Sequence, residues 1–159
     1  MKHTVFSLFF LLLLTACSAV TSSNRDFSSI SDDPIKITIF TLYNYTDTPQ
    51  AGMRAANIAE GVLIARGDTV VNAIEKKELA LEREIEIAKK NGSDYLLTGG
   101  VSEWRYKTGI DGEPAVSLQL KLIDVQSREV VWSATGSDSS WGNSSIGTTA
   151  QALIESMIN

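Results

Sequence analysis

The chain has 159 residues, with 14 Lys+Arg against 19 Asp+Glu, one His, one Cys and a formal net charge of −5. That acidic balance argues against nucleic acid and anionic lipid headgroups as partners and leaves cationic partners open. The length suits one folded domain with one core behind a terminal segment.

The chain opens Met1-Lys2-His3, continues as an apolar run from Val5 to Leu14, and reaches Thr15-Ala16-Cys17. A positive start, a short apolar run and a small residue before a break are the parts of a secretory signal peptide, residues 1–16. The run is too short for a bilayer span, which takes about 20 apolar residues. Leu14-Thr15-Ala16-Cys17 is similar to a bacterial lipobox, where cleavage before the Cys is followed by acylation of Cys17. Several acyl chains on one residue anchor stably, at about 0.8 kcal/mol per buried methylene. Ser18, where Asp would retain the protein at the inner membrane, is similar to the outer-membrane sorting pattern. The expectation is an outer-membrane lipoprotein facing the periplasm.

Cleavage would also change the chemical inventory. The only His is His3 and the only Cys becomes lipid-capped, so the mature chain has no imidazole and no free thiol. Cys-His and Ser-His-Asp nucleophiles and the usual zinc sites are thereby excluded, and no catalytic residue, metal or cofactor is expected. Loss of Lys2 leaves 13 cationic residues against 19 acidic ones, a net charge of −6.

Residues 17–33 are expected to be the lipidated Cys and a flexible tether, since Ser18 to Asp33 is Ser-rich and aperiodic. Sixteen such residues would reach about 20–24 Å. Residues 34–159 are expected to form a single α/β domain. Ile35 to Phe40 alternates as a strand, and Tyr43 to Pro49 reads as a loop. Ala55, Ile58, Ala59, Val62 and Leu63 share one helix face between Ala51 and Arg66, and Gly67 stops that helix. Asp68 to Ala73 suits a short strand. A charged helix is expected from about Glu75 to Lys90, with Leu81, Ile85 and Ala88 buried and its carboxylates and lysines on a solvated face.

Asp94 to Lys107 reads as a strand interrupted at Gly99-Gly100, by a bulge or by close approach of another backbone. Ala115 to Val125 alternates cleanly, Ser127-Arg128 turns, and Glu129 to Thr135 returns, completing an antiparallel meander. A last helix from Ser144-Ser145 would bury Ile146, Ala150, Leu153, Ile154 and Met157. The order β-α-β-α-β-β-β-α predicts an α/β two-layer sandwich, a mixed, mostly antiparallel sheet with helices packed on it.

Several motifs carry little. Arg66-Gly67-Asp68 spells an adhesion tripeptide that a helix stop explains. Asp111 and Glu113 sit at a hairpin tip, where water leaves carboxylates unperturbed and no acid–base pair forms. Glu103-Trp104-Arg105-Tyr106-Lys107 alternates, sending Trp104 and Tyr106 to one face and the charges to the other. Trp132 fits the core, whereas Trp141 follows Gly136 to Ser140 in what reads as a polar loop and suits either a lid on the sheet edge or a membrane-interface contact.

With these elements in place, the chain resembles the PelC family of outer-membrane lipoproteins of exopolysaccharide export. The matching stretches are Cys17, Asn44 to Gly52, Glu103 to Val116, Val131 to Ala134, and Ser140-Trp141 leading into Thr149-Ala150-Gln151. The resemblance implies a non-enzymatic subunit of a homo-oligomeric ring, beside an outer-membrane export porin, guiding a cationic polysaccharide through an acidic opening. It puts Asp111, with Glu113, at that opening and Trp141 at the membrane, while Arg105 and Lys107 are candidate subunit contacts. The same outline resembles CsgG-type secretion lipoproteins, but Thr108 to Pro114 is seven residues and a membrane-crossing strand takes about 9–11. A cell-wall synthase activator is the other alternative, and it calls for a far longer tether.

Overall fold

Alternation along the strands sorts the apolar residues onto two faces of one sheet, and the helices follow. The computed structural model describes residues 19–108, 112–140 and 144–158. In chain order the elements are β1 (Val20–Ser23), a 3-10 turn (Phe27–Ile30), β2 (Lys36–Phe40), β3 (Tyr43–Asn44), α1 (Ala51–Arg66), β4 (Thr69–Ala73), α2 (Leu81–Lys90), β5 (Tyr95–Tyr106), β6 (Pro114–Asp124), β7 (Val130–Ser139) and α3 (Ile146–Ile158). The strands form a 7-stranded sheet in the order β1-β7-β6-β5-β2-β4, with β3 alongside β5. The long β5–β6–β7 meander and β1 are antiparallel, while β2 pairs in parallel with β4 and β5. This is the expected mixed, mostly antiparallel sheet with helices packed on it.

Ile37, Ile39, Leu97, Val101, Leu118, Leu120, Leu122 and Trp132 face α1 and α3 in the main core. Phe40, Leu96 and Ile123 point the other way, and Ile85 and Ala88 of α2 cover them there. Each fully buried side chain of this size is worth about 1.5–3 kcal/mol. Among the described residues no helix packs on the rest of the second face, along β5, β6 and β7.

Helix α1 lies close to the sheet because its buried stripe is Ala51, Gly52, Ala55, Ala56 and Ala59 before it widens to Val62 and Leu63. A Cβ at Gly52 would overlap the Leu42 carbonyl oxygen. At its end Gly67, at φ 103°, lets the Gly67 and Asp68 N–H groups close on the carbonyls of Ile64 and Leu63. Arg66 pairs with Asp68 at 3.0 Å, and Asp68 accepts the Ile35 N–H at 3.1 Å. The tripeptide is therefore a structural corner joining α1 to β2.

Four expectations are corrected. Val20 to Ile30 does not behave as a flexible tether: β1 pairs with β7 from Val20↔Ser137 to Ser23↔Ala134, and Phe27 is buried. The Phe27 ring stands edge-on to Trp132 at 4.9 Å, beneath the Arg66 guanidinium at 4.5 Å. One aromatic in a polar segment produces no periodicity, so the sequence pattern conceals it. Helix α2 starts at Leu81 and not near Glu75. Thr41 bonds both backbone groups of Glu75, and the Tyr43 hydroxyl donates to the Leu79 carbonyl, which holds that segment out of the helix. Strand β7 runs on to Ser139, so Gly136 to Ser139 is not loop. A Cβ at Gly136 would meet the side-chain ends of Met157 and Leu153 at 2.7 and 2.9 Å, so glycine there lets those side chains of α3 lie against the strand. Finally, Glu84 of α2 is buried and not on a solvated face.

Candidate functional site

The β5–β6 hairpin holds most of the charged residues expected to matter. Register shifts between Val101 and Glu103, and past this bulge Trp104 turns into the main core while Tyr106 emerges from its rim. On the opposite face Arg105 pairs with Glu103 at 2.8 Å. Lys107 reaches Glu113 at 3.8 Å, and its N–H donates to the Glu113 carbonyl at 2.6 Å. Arg105, Lys107 and Glu113 are thus tied within their own hairpin by exposed or half-exposed pairs worth about 1 kcal/mol or less each. Cys17, Asp111 and Trp141 lie outside the described residues.

Strand register nevertheless brings their neighbours together. Arg105 pairs with Ala115, Ala115 with Ser139, and Val20 with Ser137. The hairpin tip, the end of β7 and the start of β1 therefore share one end of the sheet.

On the face of the sheet beyond α2, a second set of residues converges that sequence reasoning missed. Gly99 is crossed by the Gln119 backbone, and a Cβ at Gly100 would meet the Tyr45 ring at 2.7 Å. The glycine pair is thus a close approach, and the bulge lies further along. The ring of Tyr45 rests on Gly100 and is 73% exposed. Tyr43 lies near-parallel to it, with ring centroids 6.4 Å apart and planes at 19°. To one side of Tyr45 is a polar groove of about 550 Å³ bordered by Asp47, Ser102, Glu103 and Ser117. To the other is a smaller cleft of about 220 Å³ bordered by Tyr43, Glu84, Thr98, Gln119 and Lys121.

Glu84 is 0% exposed, and neither of its carboxyl oxygens has a hydrogen-bond partner. Burial pushes its pKa up from 4.5 to about 7, with the nearby Thr98 hydroxyl pulling slightly the other way. That hydroxyl is itself buried without a bond that meets hydrogen-bond geometry. Burial, then the Glu84 charge, also raises the Tyr43 hydroxyl. A helical-wheel signal for Glu84 was present, since it lies three residues after Leu81 and four before Ala88, within the apolar stripe. For Tyr45 the only signal was an aromatic in a polar loop preceding a small-residue helix.

Among the described residues no helix is long and apolar enough to cross a membrane. The sequence family described as peptidoglycan-synthase activator LpoB matches residues 65–137. No curated protein sequence matches the chain. Among solved structures, lipoprotein GNA1162 from Neisseria meningitidis superposes with a TM-score of 0.57 at 22% identity, over 77% of this chain and 94% of that one, a likeness of fold. A PelC dodecamer from Paraburkholderia phytofirmans superposes with a TM-score of 0.73 at 35% identity, covering 88% of this chain and 94% of that one. A second crystal form of that dodecamer, from a single-residue variant, gives 0.73 at 36%, over 89% and 95%. With that identity spanning nearly the whole of a solved relative, the chain belongs to the PelC family.

Proposed function

We propose that this chain is a non-enzymatic, lipid-anchored subunit of a ring on the periplasmic side of the outer membrane, which guides a cationic polysaccharide to an export porin. The observation that carries the reading is the likeness to a protein solved as a dodecamer. The end of the sheet shared by β1, β7 and the β5–β6 hairpin supports it further. With lipid on Cys17, only three positions separate the anchor from Val20, and these span about 10 Å at most. That end of the sheet would then face the membrane, with Trp141 at the interface and Asp111 at the opening through which polymer passes. Asp111 and Glu113 carry the acidic role in this reading, with the Lys107 ammonium 3.8 Å from the Glu113 carboxylate. Arg105 and Lys107, exposed beside their own carboxylates, are the proposed contacts to a neighbouring subunit.

The partial match to LpoB favours a second reading, a synthase activator at the cell wall. Its reach is the difficulty, because the ordering of Val20 to Ile30 removes most of the tether such a role needs. Charge reversal at the opening tests the first reading. Asp111→Lys should reduce secreted polymer by about tenfold or more, the scale on which a focused field alters counter-ion concentration, with protein abundance unchanged. Normal secretion from that variant removes the acidic opening, and a change confined to cell-wall crosslinking selects the activator.

A further inference from the structure

The cleft beneath Tyr45 has the chemistry of a cation site whose carboxyl no side chain partners among the described residues. Glu84 closes its inner side with two unpartnered carboxyl oxygens, beside the unpartnered Thr98 hydroxyl. A buried ionised carboxylate without a donor is costly, and the site is satisfied by a group bringing N–H bonds and positive charge. Lys121 borders the cleft but makes no ion pair among the described residues. The outer wall is aromatic: Tyr43 is fixed by its bond to Leu79, and Tyr45 lies on Gly100 with most of its surface open. Aromatic faces take an apolar ring face and attract an adjacent ammonium. Beyond Tyr45 the groove changes to polar groups, the hydroxyls of Ser102 and Ser117, the Asp47 carboxylate, and Glu103 paired with Arg105. An apolar-walled cleft with a carboxyl at its base, continued by a polar groove, suits a chain of hydroxyl-rich rings better than a compact ion.

We propose that the cleft between Tyr45 and Glu84 binds a primary ammonium borne on a sugar ring, with Tyr45 stacking on that ring and the adjoining polar groove receiving the next unit. This rests on the polysaccharide reading above and assigns it a binding surface on every subunit, distinct from the acidic hairpin tip.

The experiment titrates the full mature protein in detergent with a glucosamine hexamer and with its fully N-acetylated counterpart, at about pH 7, close to the raised pKa of Glu84. The free-amine hexamer should bind about tenfold or more tightly than the acetylated one, the scale of one charge-assisted bond. Glu84→Gln should abolish that preference, and Tyr45→Ala should weaken both sugars by about tenfold. Tyr45 is exposed, so its variant is expected to fold, and matching melting curves check this. Equal affinity for both hexamers, or no effect of Glu84→Gln, overturns the ammonium site. Spermidine binding as tightly as the hexamer, with no loss in Tyr45→Ala, overturns the sugar-ring assignment. Crosslinking of Tyr45→Cys to a second copy, together with absence of sugar binding, makes the cleft a subunit interface and overturns it also. Failure here is separable from failure of the export role: deletion of the protein tests export, and normal export with Tyr45→Ala in a strain that needs the protein removes only this site.

Discussion

At the scale of single residues, Glu84 shows how a helix can carry a charge into a sheet. Its position is fixed by α2, because Ile85 and Ala88 must cover Phe40, Leu96 and Ile123 and the next residue on that stripe follows them in. Thr98, Tyr43 and Lys121 border the same cleft as Glu84, and among the described residues its carboxyl makes no hydrogen bond or ion pair. Its pKa is raised from 4.5 to about 7, so the folded state keeps a proton that the unfolded state has released. The stability linked to Glu84 is therefore fully present below pH 4.5 and is lost as pH rises to about 7. At 1.36 kcal/mol per unit the whole effect is about 3 kcal/mol. Denaturant unfolding of the wild type and Glu84→Gln should show the gap shifting towards the variant by about that amount across this window. A gap that stays constant with pH would mean an ordinarily titrating carboxyl. The alternating charges at Glu82, Arg83 and Glu86 make this stretch read as a solvated face, and that composition hid Glu84 from sequence reasoning.

At the scale of elements, legibility tracked how much of each element's reason is local. Helix α1 was readable to the residue because its stripe, its small side chains and its Gly67 stop all lie within the segment. The meander was readable from strict alternation in β6. What failed depended on partners far along the chain. The segment from Glu75 to Ala80 has helical composition but is held by Thr41 and Tyr43, and the polar end of β7 is a strand because β6 and β1 flank it. The 3-10 turn at Phe27 is the sharpest case, since its place is set by Trp132 and Arg66. Phe27→Ala should therefore cost about 3–5 kcal/mol, as for a core aromatic, measured as a lowered denaturant midpoint. A flexible tether would show no change. The magnitude separates a segment that is part of the fold from one that merely precedes it.

At the scale of the whole molecule, the question is which end of the sheet meets the membrane, and the three tryptophans allow a direct answer. Trp104 and Trp132 are buried in the main core, at 2% and 0% exposure, so a quencher in the lipid phase does not reach them. Strand β7 ends at Ser139 beside the start of β1, Trp141 comes two positions later in the sequence, and β1 begins three positions after the residue proposed to carry lipid. Indoles are favoured at the headgroup level, where one edge is apolar and the other wet. If that end faces the bilayer, vesicles made with brominated acyl chains should quench about a third of the emission of the lipidated protein, one indole of three. Trp141→Phe should remove that quenching while leaving the remaining emission unchanged. Quenching that persists in the variant would assign it to a core indole and imply that the sheet opens at the membrane. No quenching in the wild type would make Trp141 a lid on the sheet edge. In that case the hairpin tip, at the same end as β1 and the end of β7, would lose its argument for lying beneath the membrane, and the acidic opening would have to be sought elsewhere on the subunit.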